Sequence, residues 1–123
     1  MITLKKYFSS FAYAISGISY AFRSQFNMRV HIVAALMVIA ASFILRISPV
    51  EWCVVLLCIG SVIAAELINT SLEVSIDLIS PQRNKKAGQA KDLAAAGVFI
   101  VSIVSSIIGL IVFVPKIIHL LRT

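Results

Sequence analysis

Ala64-Ala-Glu-Leu-Ile-Asn-Thr-Ser-Leu-Glu-Val-Ser-Ile-Asp77 is the most informative segment of the chain. It follows an apolar run and continues that run's helix. Glu66, Asn69, Glu73 and Asp77 recur at steps of three and four. At about 100° per residue, those four side chains share one helix face. Three carboxylates and an amide on one stripe of a membrane-type helix are expensive. Intramembrane ionisable groups face a bundle interior or a cavity, and they are functional candidates by default.

Composition says why the helix should be of membrane type. Of the 123 residues, 60% are hydrophobic and 13% charged, and mean hydropathy is +1.02. Soluble domains average about 45–50% apolar and about 25% charged. A soluble chain this small could not hide so much apolar surface, so a single-domain integral membrane protein is predicted. The net charge of +6 then speaks of topology and anionic headgroups. A nucleic-acid partner is not expected, because the aromatic-basic repeats of single-strand binding are absent. Lys5 and Lys6 are not followed by an apolar signal region with a cleavage site, so the first apolar segments are expected to stay in the mature protein. Cys53 and Cys58 lie five apart in one apolar segment and read as buried thiols rather than a metal or redox pair.

Residues 1–23 repeat Phe8, Phe11, Ile15, Ile18 and Phe22 at threes and fours. This predicts an amphipathic helix lying in the membrane surface. A polar hinge follows at 24–29, and then a first membrane helix over 29–46. Ser48-Pro49-Val50-Glu51 is a helix start, with Ser48 at the N-cap, Pro49 in the first turn and Glu51 at the capping-box position. The second membrane helix runs over 49–78, where Ser80-Pro81 stops it. Residues 80–91 read as a basic loop. Leu93 to Val114 is 22 residues without a charge, enough to cross a core of about 30 Å. It predicts a third membrane helix over 92–115, closed by Pro115 and Lys116. Trp52 reads as an interfacial anchor, and the small residues Gly60, Ser61, Ala64 and Ala65 as a close-packing patch.

Three crossings put eight basic residues (Lys5, Lys6, Arg23, Arg29, Arg83, Lys85, Lys86, Lys91) on one side and three (Arg46, Lys116, Arg122) on the other. This predicts a cytoplasmic N-terminus and 80–91 loop. The acid stripe then opens toward the nucleotide-bearing side. Glu73, Asp77 and Asp92 supply the hard oxygens that Mg²⁺ takes and shares with phosphates. Lys85, Lys86 and Lys91 suit phosphate itself, and the start of the third membrane helix adds a field that favours anions. Glu66, about two turns deeper than Glu73, is partly desolvated and placed as a general base. A base at the lipid boundary beside a phosphate clamp describes phosphoryl transfer to a membrane alcohol, which depends on positioning and charge neutralisation. The same acids and lysines can also be read as ion pairs that stabilise a bundle. No GxxxxGK[ST] loop and no HRD or DFG set is present, which excludes the usual soluble kinase classes.

Ala65-Glu66-Leu67-Ile68-Asn69-Thr70, then Glu73 and Asp77, then Ala90-Lys91-Asp92 with Ala94-Ala95-Ala96-Gly97, resembles the prokaryotic membrane diacylglycerol kinase family, which includes undecaprenol kinases. The resemblance covers nearly the whole chain. Asn27-x-Arg29-x-His31 and Phe11-Ala12-x-Ala14-x-x-Gly17 are similar to the undecaprenol-kinase branch. The resemblance implies a homotrimer of three-span, all-α protomers, each with a surface helix, in the bacterial cytoplasmic membrane. It implies ATP with Mg²⁺ as cofactors and a lipid alcohol as substrate, undecaprenol before diacylglycerol. Glu66 would be the catalytic base. Glu73 would bind metal, and Asn69, Asp77, Lys91, Asp92, Lys6 and Tyr13 would lie at the nucleotide. Asn27, Arg29 and His31 would line the acceptor. Gln25 stands where the family pattern usually has a metal-binding glutamate. It offers a carbonyl oxygen without the charge. That departure is the feature favouring a rival reading, a nonenzymatic relative with a structural role or a small ion pathway.

Overall fold

The computed structural model describes residues 2–123. They form four helices: α1 (Ile2–Ser24), α2 (Phe26–Ile44), α3 (Pro49–Ile79) and α4 (Lys85–Arg122). At about 1.5 Å per residue, the 19 residues of α2 just cross a hydrocarbon core, whereas the 31 of α3 and 38 of α4 overreach it. All three are long and apolar enough to span a membrane.

Helix boundaries follow from local chemistry and shift several expected ones. The hinge predicted at 24–29 narrows to Gln25, whose φ of −112° and ψ of 118° break the path between α1 and α2. α2 therefore starts at Phe26 rather than 29. It ends in a left-handed residue, Arg46, with φ of 50°. The Ile47 amide donates to the Ser42 carbonyl and the Arg46 amide to the Phe43 carbonyl, the bonding of a Schellman cap without its usual glycine. α3 begins with a complete capping box: the Glu51 amide donates to Ser48 Oγ at 3.2 Å, and the Ser48 amide donates to Glu51 Oε2 at 2.7 Å. The basic loop predicted over 80–91 shrinks to 80–84. Asn84 caps α4 by accepting from the Lys86 and Ala87 amides, so Lys85, Lys86 and Lys91 are helical. Nor does Pro115 close α4, which runs on to Arg122. The turns beyond it are apolar on several sides, and Lys116 Nζ reaches Glu51 Oε2 at 3.0 Å, tying them to the start of α3.

α3 is central. It packs along α4 on one side and α2 on another, while α1 packs on α2 and α3. Among the described residues α2 and α4 do not approach each other closely. A groove therefore opens between them, floored by α3. Burial is inside-out for a water-soluble protein. Glu66, Asn69, Thr70 and Ser42 are buried, while Leu36, Phe43, Leu57, Phe99 and Ile111 are exposed. Leaving such side chains in water would forgo the main driving force of folding, whereas in lipid they need no cover. Two expectations change here. Cys53 is exposed and Cys58 half-buried on the groove, both free, so they are not core thiols. A Cβ at Gly60 would meet nothing within 4 Å, so Gly60 itself makes no close packing contact among the described residues. Trp52 stands edge-on to Phe43 at 4.8 Å, at the end of the bundle remote from the acid stripe.

Candidate active site

The acid stripe of α3 forms the floor of a cavity of about 580 Å³ between α2 and α4. Helix spacing makes this possible: Glu66, Asn69 and Glu73 project from one face of α3, Asn27 and His31 from one face of α2, and Asp92 with Ala95 and Ala96 from α4. The small alanines leave the room.

Glu66 is the deepest of these groups. Its side chain is 1% exposed, with His31 Nε2 3.7 Å away from Oε2, and neither carboxylate oxygen has a hydrogen-bond partner. Thr70 does not supply one, since its Oγ1 donates to the Glu66 backbone carbonyl at 2.8 Å. A carboxylate so placed lacks the two or three donors that normally compensate burial. One turn further on, Asn69 Nδ2 donates to Glu73 Oε1 at 3.3 Å, leaving Asn69 Oδ1 buried and unpartnered. Gln25, delivered by the break between α1 and α2, donates from Nε2 to Glu73 Oε2 at 3.2 Å. At the end of the stripe Lys91 Nζ pairs with Asp77, both partly solvated.

The chain thus brings Gln25, Asn27, His31, Glu66, Asn69, Glu73 and Asp92 together, with Asp77 and Lys91 at the mouth. Three expected residues are not brought in. Arg29 points the other way round α2 and donates to the Arg23 carbonyl at 3.4 Å. Lys6 and Tyr13 are exposed on α1 and line no part of the cavity. Conversely Ser102 lines it, a residue hidden in the sequence by its featureless apolar run.

The donor set also bears on a divalent cation. Among the described residues no cluster of three His, Cys, Asp or Glu side chains is poised for a metal. Yet the Glu73 carboxylate and the orphaned Asn69 Oδ1 are adjacent hard oxygens, and two such ligands suit a Mg²⁺ that takes its others from water and phosphate.

This geometry sits inside the matched region of known proteins. The profile of the prokaryotic diacylglycerol kinase family matches residues 12–113. The chain belongs to that family. It is 38% identical to the undecaprenol kinase of Bacillus subtilis over 113 residues, 92% of each chain. It is 35% identical to the diacylglycerol kinase of Synechocystis over 91% of this chain and 65% of that one. It is also 31% identical to the diacylglycerol kinase of Haemophilus influenzae over 75% of this chain and 78% of the relative. Every residue of the cavity floor and mouth lies within the matched span, so the family's segment and the buried carboxylate coincide in this membrane kinase relative.

Proposed function

We propose that the chain is an ATP-dependent lipid kinase that passes the γ-phosphate to the hydroxyl of a membrane alcohol, undecaprenol in preference to diacylglycerol. The observation that carries this reading is Glu66, a buried carboxylate with two free oxygens at the bottom of a polar cavity that opens onto an apolar groove. That groove, about 380 Å³, runs between α2 and α4 away from the mouth and would take a hydrocarbon chain. Glu66 accepts the acceptor's hydroxyl proton. The acceptor oxygen bonds to the γ-phosphorus as the β–γ bridging P–O bond breaks, and ADP leaves with the electron pair. Lys91, which pairs with Asp77 at the mouth, would supply positive charge to the phosphates. Glu73 and Asn69 would hold Mg²⁺, which neutralises phosphate charge. Asn27 and His31 border the acceptor, and we assign Lys6, Tyr13 and Asp92 to the nucleotide side and Arg29 to the acceptor's headgroup side on resemblance alone.

α1 lies in the cytoplasmic interface of the bacterial inner membrane, with Phe8, Phe11 and Ile15 exposed toward lipid. The 80–84 turn faces the cytoplasm, consistent with the eight-to-three division of basic residues. Three copies assemble, using apolar faces such as that around Gly60. Undecaprenol is favoured because the relative matched over 92% of both chains is named an undecaprenol kinase. The hydrogen bond from Gln25 to Glu73 favours one alternative, an impaired relative whose carboxylate is occupied by an amide donor.

Purified protein in bicelles, given labelled ATP and Mg²⁺ with undecaprenol and diacylglycerol in parallel, tests the proposal. Transfer to undecaprenol is expected. Transfer to diacylglycerol alone would correct the acceptor, and transfer to neither would retire the kinase reading.

A further inference from the structure

Among the described residues only four buried side-chain polar atoms lack a partner: both Glu66 oxygens, Asn69 Oδ1 and Ser102 Oγ. All four line the same cavity. Clustering of this kind is unusual, since buried polar groups are satisfied almost everywhere in folded proteins. Glu66 and Asn69 have roles in the reaction above, and Ser102 has none. Its orphaned state is also particular. A helical serine ordinarily donates back to the carbonyl four residues earlier. Ser42, Ser61 and Ser106 do so here at 2.7–2.8 Å, but Ser102 does not.

The position of Ser102 says what its hydroxyl meets. Ser102 and His31 are the two residues that line both the polar cavity and the apolar groove. A ligand with its chain in the groove and its polar end at Glu66 must pass between them.

We propose that the Ser102 hydroxyl, buried and unpartnered where the polar cavity meets the apolar groove, donates a hydrogen bond to the hydroxyl oxygen of the lipid acceptor and so holds it for Glu66. The inference rests on the lipid-kinase reading and adds a substrate-holding residue to it. Glu66 can only accept, so the acceptor's O–H points to Glu66 while its oxygen lone pair receives the Ser102 proton. A long prenol has one oxygen and depends wholly on such a contact for its depth. A diacylglycerol carries ester oxygens as well, which give it other anchors.

Ser102→Ala is therefore expected to raise KM for a prenol about three- to tenfold, the range for one neutral hydrogen bond. KM for ATP should not move, and the effect on diacylglycerol should be smaller. Ser102→Thr, which keeps the hydroxyl, should restore most of the loss. Ser75→Ala, on a face of α3 outside both cavity and groove, should change nothing, because the Ser75 hydroxyl is already bonded to the Ser71 carbonyl at 2.8 Å. Farnesol binding, measured by competition with a photoactivatable prenol, is followed alongside turnover. Equal affinities for wild type and Ser102→Ala would overturn the inference, as would no prenol binding by wild type or an ATP KM that moves in step. Wild type that binds farnesol more tightly than Ser102→Ala but transfers no phosphate would uphold the contact while defeating the kinase reading.

Discussion

Replacing Glu66 by glutamine separates a catalytic from a structural carboxylate, because the two roles predict opposite signs. The side chain is 1% exposed, and the His31 imidazole lies 3.7 Å away. Neither oxygen accepts a hydrogen bond. Glutamine is close in shape but cannot take a proton. General-base catalysis contributes about 100- to 10,000-fold in rate, so kcat should fall by that factor, about 2.7–5.4 kcal/mol of barrier. Stability should move the other way. An uncompensated buried charge costs more to desolvate than an amide, and the variant should gain on the order of 1 kcal/mol. Turnover of labelled ATP on undecaprenol in bicelles measures the first effect. Unfolding in mixed decyl maltoside and dodecyl sulfate micelles, followed by circular dichroism, measures the second. Glu66→Asp, which keeps the carboxylate but sets it back by one methylene, should fall between. Turnover within tenfold of wild type would move the base elsewhere. A variant that unfolds more easily would mark Glu66 as a structural group instead.

Other expectations follow from neighbouring contacts. Gln25→Glu replaces an amide donor 3.2 Å from Glu73 with a second carboxylate. It should lower the half-saturating Mg²⁺ about tenfold, read from Mg²⁺ titrations of activity, and make thermal stability depend on the cation. Asn69→Ala removes both a donor to Glu73 and an oxygen for the cation, and should raise the Mg²⁺ requirement by about tenfold or more in the same titration. Lys91→Ala should raise KM for ATP about 10- to 100-fold through loss of a charge-assisted contact, yet change stability by less than about 1 kcal/mol, since the Lys91–Asp77 pair is partly solvated. Ser48→Ala breaks the capping box and should cost about 1 kcal/mol in micellar unfolding while leaving turnover intact, because the box lies at the end of α3 remote from the site.

How much of this was legible beforehand depends on the range of the interactions involved. The chain read alone showed a helical, membrane-type protein, because composition and apolar run length act locally and need no partner. It also showed that Glu66, Asn69, Glu73 and Asp77 share a stripe, since helix periodicity is a property of one segment. The Ser48–Glu51 cap was legible for the same reason. Boundaries set by competition were not. Asn84 captures two amides and starts α4 seven residues before Asp92, and α4 continues through Pro115 with Lys116 bonded to Glu51. The Arg46 cap carried no signal, because a residue other than glycine occupies the left-handed position. Which residues face the stripe depends on packing between helices. That packing brings Gln25 onto Glu73 across 48 residues of sequence, turns Arg29 away to Arg23, leaves Lys6 and Tyr13 outside, and places Ser102 at the junction of cavity and groove. The reason is that α2 and α4 pack on α3 without closing on each other. The space between them belongs to no single segment, and no local pattern in the chain encodes what lines it.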